Sequence, residues 1–179
     1  MTLLITYASP HGSTAEMART LAIQVRASGH EVDLIPVENI TTLEGYKAVI
    51  MGAPIHCGVW VRPMYQFLYR FRVLLRPIPV YAWITCMRVL EEGGEKHARQ
   101  YYIADEFHTF PHLRSVEIFA GKIIPTELVW QERFSLEQHY DGLQDVSYSQ
   151  GDHRDWDRFK AWGQFIIDDL DGLKVWPFS

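Results

Sequence analysis

Residues 2–22 read TLLITYASPHGSTAEMARTLA, an apolar run that stops in six small or polar residues and passes at once into a helical pattern. Residues 2–8 are apolar and β-branched without polar alternation, as expected of a strand covered on both faces in a parallel sheet. Ala15, Ala18, Leu21, Ala22 and Val25 then recur at helical spacing and Gly29 supplies a stop, which predicts a helix over 13–28. The six residues Ser9 to Thr14 carry the first question of chemistry. Amides at the start of that helix can point at an anion, Ser9, Ser13 and Thr14 can donate hydroxyl hydrogen bonds, and Gly12 permits close backbone approach. The other reading is that the loop merely turns the chain and Ser13 or Thr14 caps the helix. A single phosphate monoester suits so short a loop. The G-x-x-x-x-G-K-[ST] and G-x-G-x-x-G patterns used for nucleoside triphosphates and dinucleotides do not occur.

Outward from this unit the alternation continues. EVDLIPV (31–37) and KAVIMGAP (47–54) read as strands two and three, and ENITTLEGY between them has room only for a brief helix. Pro63 opens a helix whose Met64, Phe67, Leu68, Phe71, Leu74 and Leu75 share one face and which ends before Pro77. PVYAWITC (79–86) is strand four, a further helix is predicted from near Gly94, and SVEIFAGKI (115–123) is strand five. Trp156, Phe159, Gly163, Ile166, Ile167 and Leu170 mark one face of a last helix. Residues 124–151 fit no repeat and read as an excursion before that helix. Such alternation predicts the α/β class: a doubly wound, five-stranded parallel sheet in the order 2-1-3-4-5, with helices on both faces and one domain over 1–179.

Ligands of such sheets bind beyond the carboxyl ends of the strands where the winding reverses, here the loops after strands one, three and four. In the second of these, Pro54, Ile55, His56, Cys57, Gly58 and Trp60, the proline and glycine favour a defined loop that presents His56 and Trp60 to a flat ring. The alternative is a packed Trp and a solvent-facing His. In the third, Thr85 and the backbone around Cys86 and Met87 face the same cleft and can meet polar ring edges. Cys57 and Cys86 fall just past neighbouring strands, either as a redox pair or as small apolar side chains. No metal site is expected, because Pro111 between His108 and His112 spoils helical ligand spacing. The acidic groups near 105 and 168 read as solvated helix faces. In the excursion, Trp130, Tyr140 and Tyr148 either wall a substrate pocket or pack the segment down.

Composition bounds the function. A net charge of −5 argues against a nucleic-acid surface, which needs surplus Lys and Arg. No stretch reaches the roughly 18 consecutive apolar residues of a transmembrane helix. Two cysteines and an N-terminal run broken by Pro10 and Gly12 lead to the expectation of a cytoplasmic protein without a secretory signal. The oligomeric state is left open, a homodimer included.

The pattern strand, [ST]-x-T-G-x-T, helix resembles the phosphate loop of the flavodoxin family, standing here as Ser9, Pro10, His11, Gly12, Ser13 and Thr14, with His11 where the pattern has Thr. VIMGAPIHCGVWVRPMYQFL, together with Asp155, Trp156 and Trp162 near the end, resembles the branch that contains menaquinone-dependent protoporphyrinogen oxidase. The resemblance implies a flavodoxin-like fold and non-covalent FMN. Its phosphate would lie on the loop at 9–14 and its isoalloxazine between the loops at 54–60 and 85–94. It also implies a flavin oxidoreductase acting on a small molecule or quinone. A carrier docking with redox partner proteins through an acidic surface is the alternative.

Overall fold

The computed structural model describes residues 2–103, 105–128, 130 and 150–172. Five parallel strands form the sheet: β1 (Thr2–Tyr7), β2 (Glu31–Pro36), β3 (Val49–His56), β5 (Val80–Thr85) and β6 (Leu113–Phe119), in the order β2-β1-β3-β5-β6. Counted as parallel strands alone, this is the predicted order 2-1-3-4-5. A two-residue strand, β4 (Val59–Trp60), folds back antiparallel on the end of β3.

Helices α1 (Ser13–Ala27) and α4 (Trp156–Leu170) cover one face, while α2 (Arg62–Phe71) and α3 (Gly94–Tyr101) cover the other. Alternate residues of each strand feed the two cores. Leu3 and Ile5 of β1 pack under α1 and α4 with Tyr81 and Trp83 of β5, whereas Leu4 points the other way with Ala82 and Ile84. Close packing leaves no space for a side chain at Gly52 or Gly163. A Cβ on Gly52 would lie 1.9 Å from the Trp83 ring, and one on Gly163 of α4 would lie 2.4 Å from Gln24 Oε1 of α1.

Several sequence-based boundaries shift. The helix after Pro63 ends at Phe71 and continues as turns, so Leu75 is buried but Leu74, expected on the same face, is 52% exposed. Strand five stops at Phe119: Lys122–Ile123 (β7) leaves the sheet and pairs antiparallel with Gly151–Asp152 (β8) at the two ends of the predicted excursion. The acidic group near 168 is not wholly solvated, because Asp169 accepts the Tyr81 hydroxyl at 2.5 Å. Burial first and that carboxylate second drive the Tyr81 phenol well above its ordinary value. Tyr140 and Tyr148 lie outside the described residues, and Trp130 is 71% exposed.

Candidate functional site

Because the five strands run parallel, the carboxyl ends of β1, β3 and β5 lie at one edge, and the three loops singled out in the sequence meet there. Loop 9–14 is the hub. Beyond β1 the ladder continues one residue, with the Ala8 amide donating to the Gly52 carbonyl at 3.0 Å. The chain then turns through Gly12, whose φ of 81° lies in the left-handed region that only glycine enters without strain. A Cβ there would meet nothing within 4 Å, so the conformation and not crowding demands the glycine, and open space lies over it.

Helix α1 starts at Ser13 with its amides at this mouth. The alternative reading, in which Ser13 or Thr14 caps the helix, does not hold: neither side chain caps it. Ser9, four residues upstream of the first helical residue, accepts the Ala15 amide at 3.0 Å, and the Gly12 carbonyl accepts that of Glu16 at 3.0 Å. The amides of Ser13 and Thr14 have no acceptor within the helix, because the first turn of any α-helix lacks them.

Two contacts tie the hub to the other loops. The His11 and His56 rings stack at 5.8 Å with an interplanar angle of 19°, joining loop 9–14 to the end of β3. The Thr14 and Thr85 hydroxyls lie 3.4 Å apart across 71 residues of chain, joining it to the end of β5. Thr14 is 1% exposed, and its hydroxyl serves this buried contact.

The second loop is a hairpin. Ile55 pairs with Trp60 and His56 with Val59, leaving Cys57 and Gly58 as a two-residue turn with φ of 50° and 80°. Positive φ at both central residues is the signature of a type I′ turn, whose twist matches antiparallel strands. Pro54 is buried in β3, and Ile55 and His56 are half-buried. Trp60 departs from the expectation that it would stack on a ligand ring. It is 2% exposed, packs on Phe107 at 5.3 Å and donates its indole N–H to the Tyr102 carbonyl at 2.5 Å. It anchors the hairpin to the core, and His56 is the ring left toward the mouth.

In the third loop, Cys86 is buried, and desolvation pushes its thiol up to about 11. Cys57 is exposed, and no disulfide joins it to Cys86. Met87 opens a short 3-10 turn, Met87–Leu90. The chain next reaches Gly94, where a Cβ would stand 1.7 Å from the Arg88 carbonyl oxygen. Among the described residues no cluster of three or more His, Cys, Asp or Glu side chains could hold a metal ion.

Sequence reasoning missed a group beneath the loop. Arg154, 9% exposed, donates bidentately to Asp152 at 2.7 and 2.5 Å, to the Ser13 carbonyl at 3.1 Å, and pairs with Glu16 at 2.8 Å. Its guanidinium lies over the Trp156 ring at 4.6 Å, and Lys122 approaches Glu16 at 3.6 Å. The hydrogen bond from Arg154 and then, more weakly, its charge and that of Lys122 hold the Glu16 carboxyl below its usual range against some burial. Arg154 likewise holds Asp152 low. Ser13 and Arg154 stand 141 positions apart, so no local spacing signals the contact.

The flavodoxin domain family matches residues 4–145. The chain belongs to that family. Among solved structures, this flavodoxin domain is similar to rubredoxin:oxygen oxidoreductase from Desulfovibrio gigas, at 18% identity and a TM-score of 0.54, over 96% of this chain and 36% of that one. It is also similar to oxidised flavodoxin 1 from Bacillus cereus, at 16% identity and a TM-score of 0.47, over 81% and 100% of the two chains. The flavodoxin of Fusobacterium nucleatum bound to flavin mononucleotide matches at 14% identity and a TM-score of 0.41, over 47% and 51%. The likeness to the first of these, at 18% identity, speaks to the fold alone. A comparison with curated proteins gives no match.

The donor chemistry of loop 9–14 fits the phosphate of a flavin mononucleotide. Main-chain amides stand at the mouth of a 15-residue helix, the Ser9 and Ser13 hydroxyls are beside them, and the space over Gly12 is open. No helix among the described residues is long and apolar enough to cross a membrane.

Proposed function

We propose that this flavodoxin domain, one unit over 1–179, binds FMN without a covalent bond and serves as a flavin oxidoreductase that passes electrons between an organic substrate or a quinone and the ring. The observation that carries the reading is the left-handed Gly12 at the mouth of α1, with open space above it and the hairpin at 54–60 and Thr85 tied to the same loop. Ser9, His11, Gly12, Ser13 and Thr14 would hold the phosphate, chiefly through backbone amides. Pro54 to Gly58 and Thr85 to Met87 would border the ring, with His56 as its stacking partner in place of the buried Trp60. When bound, FMN supplies one- and two-electron redox chemistry, while the protein orients it and sets its surroundings.

Oxidation of a tetrapyrrole-type substrate by a quinone, as in the oxidase branch that the sequence resembles, is the finer form of this reading. The carrier alternative calls for an acidic docking face. Helix α2 leaves the hairpin with Arg62 and Arg70, and the turns after it carry Arg72 and Arg76. All four are exposed, with no Asp or Glu from residue 45 to 90. Arg62 lies at the cleft end of α2 and the other three toward its far end, so the flank of α2 offers no acidic docking face, which favours the enzyme over an acid-faced carrier. Residence in the cytoplasm accompanies either reading.

Titration with FMN, followed by visible absorption after gel filtration, tests the assignment. The wild type is expected to retain the flavin spectrum. Gly12→Val, which forces a β-branched residue into the left-handed region, is expected to weaken FMN binding by about tenfold or more with unchanged far-ultraviolet circular dichroism. Unchanged affinity would remove the phosphate from this loop. Fast reoxidation of the reduced protein by a quinone, with slow exchange to small electron-carrier proteins, is the outcome expected of an oxidoreductase, and the reverse is expected of a carrier.

A further inference from the structure

We infer that Arg154 is a positioning residue for the anion site, acting through the peptide unit that joins Ser13 to Thr14. The inference rests on the proposed seating of FMN phosphate at loop 9–14. The carbonyl of that peptide belongs to Ser13 and its N–H to Thr14. Peptide planarity makes the two ends one rigid body, so fixing the carbonyl aims the amide. Arg154 Nη1 donates to the Ser13 carbonyl at 3.1 Å, on the flank of α1, while the Thr14 N–H, a first-turn amide, has no acceptor within the helix and points toward its amino end.

A charged donor on the carbonyl also polarises the amide and makes its N–H a stronger donor. Arg154 is itself held. Asp152 grips it with both oxygens, Glu16 takes Nη1 at 2.8 Å, and Trp156 lies under the guanidinium. Its charge does not act as a bare attraction for the phosphate: Arg154 and Lys122 are matched by Asp152 and Glu16, so the four side chains sum to zero. What the network delivers is direction. Asp152 belongs to β8, whose partner β7 ends where the excursion begins, so the base of the excursion is fastened to the first turn of α1.

The test compares FMN with riboflavin, which carries the same ring and no phosphate, in the full-length protein. Wild type is expected to prefer FMN. Arg154→Met and Arg154→Lys are expected to lose FMN affinity, the first by about tenfold and the second by less, because lysine keeps the charge without the planar fork. Riboflavin affinity is expected to stay the same, and the 31P resonance of bound FMN to move toward that of free FMN. Asp152→Asn, which loosens the grip on Arg154, is expected to shift the FMN-to-riboflavin ratio in the same direction, and it decides the matter together with Arg154→Lys if Arg154→Met does not fold. Equal losses for both ligands would reduce Arg154 to a general structural role and overturn the inference, as would unchanged affinities. A wild type that shows no preference for FMN would overturn the loop assignment itself, a result distinguishable from failure of the variants alone.

Discussion

Single residues at this site are governed by two different demands on glycine. Gly12 is required by its backbone angle, with empty space where a Cβ would go. Gly52 is required by space, since the Trp83 ring occupies the position of its missing side chain at 1.9 Å. Trp83 is fully buried among Phe159 and Trp162 and has no room to withdraw. Gly52→Ala is therefore expected to destabilise the fold by about 2 kcal/mol or more, the scale of an overpacked core, read as a lower midpoint in urea. The sequence marked Gly12 for close backbone approach in its loop and Gly52 only as a member of a strand. Which one is conformational and which is steric depends on neighbours 31 residues away. Trp60 teaches the same lesson from the other side: an aromatic in a binding loop reads as a ligand platform until its burial against Phe107 and its bond to Tyr102 are known.

At the level of elements, alternation was legible because each element buries a face. The central strands β1, β3 and β5 are apolar on both sides, and the helices repeat at the spacing that a one-sided core demands. Ends were less legible, since they depend on caps and partners. Helix α4 begins where Asp155 accepts the Arg158 amide at 2.9 Å, a cap on the solvent side of the element. Asp155→Ala is expected to cost about 1 kcal/mol of stability, measured by thermal or chemical unfolding, without changing FMN affinity. Helix α1 is capped at a distance by Ser9, and its first peptide is gripped by Arg154, so its start belongs as much to the excursion's base as to its own sequence. The early stop of β6 has the same origin: Lys122 and Ile123 find a partner in Gly151 and Asp152 and leave the sheet.

Across the whole molecule, charge is distributed in paired networks. Glu16 and Asp152 serve Arg154 under the loop, while Glu95 and Glu117 share Arg99 and Arg158 behind β6. Burial raises the Glu95 carboxyl, but Arg158 and Arg99 outweigh it, so Glu95, like Glu16 and Asp152, stays below its ordinary value. A carboxylate whose value is depressed by folding stabilises the native state above its unfolded value and loses that contribution as the pH falls through the folded one. The melting temperature is thus expected to hold steady from neutrality down to the ordinary carboxylate values of 4.5 for Glu and 3.8 for Asp, and to fall below them. Added salt should blunt the effect, because these carboxylates are partly exposed. The sequence by itself determined the α/β class, the strand order and the glycine turn between β1 and α1, because hydrophobic periodicity and glycine placement are local properties that dictate which faces must be buried and where the chain must turn. Only the tertiary structure decided that Trp60 belongs to the core, that His11 meets His56, and that Arg154 holds the first peptide of α1. Those contacts join residues separated by tens to more than a hundred positions, and packing brings them together only once the sheet has formed.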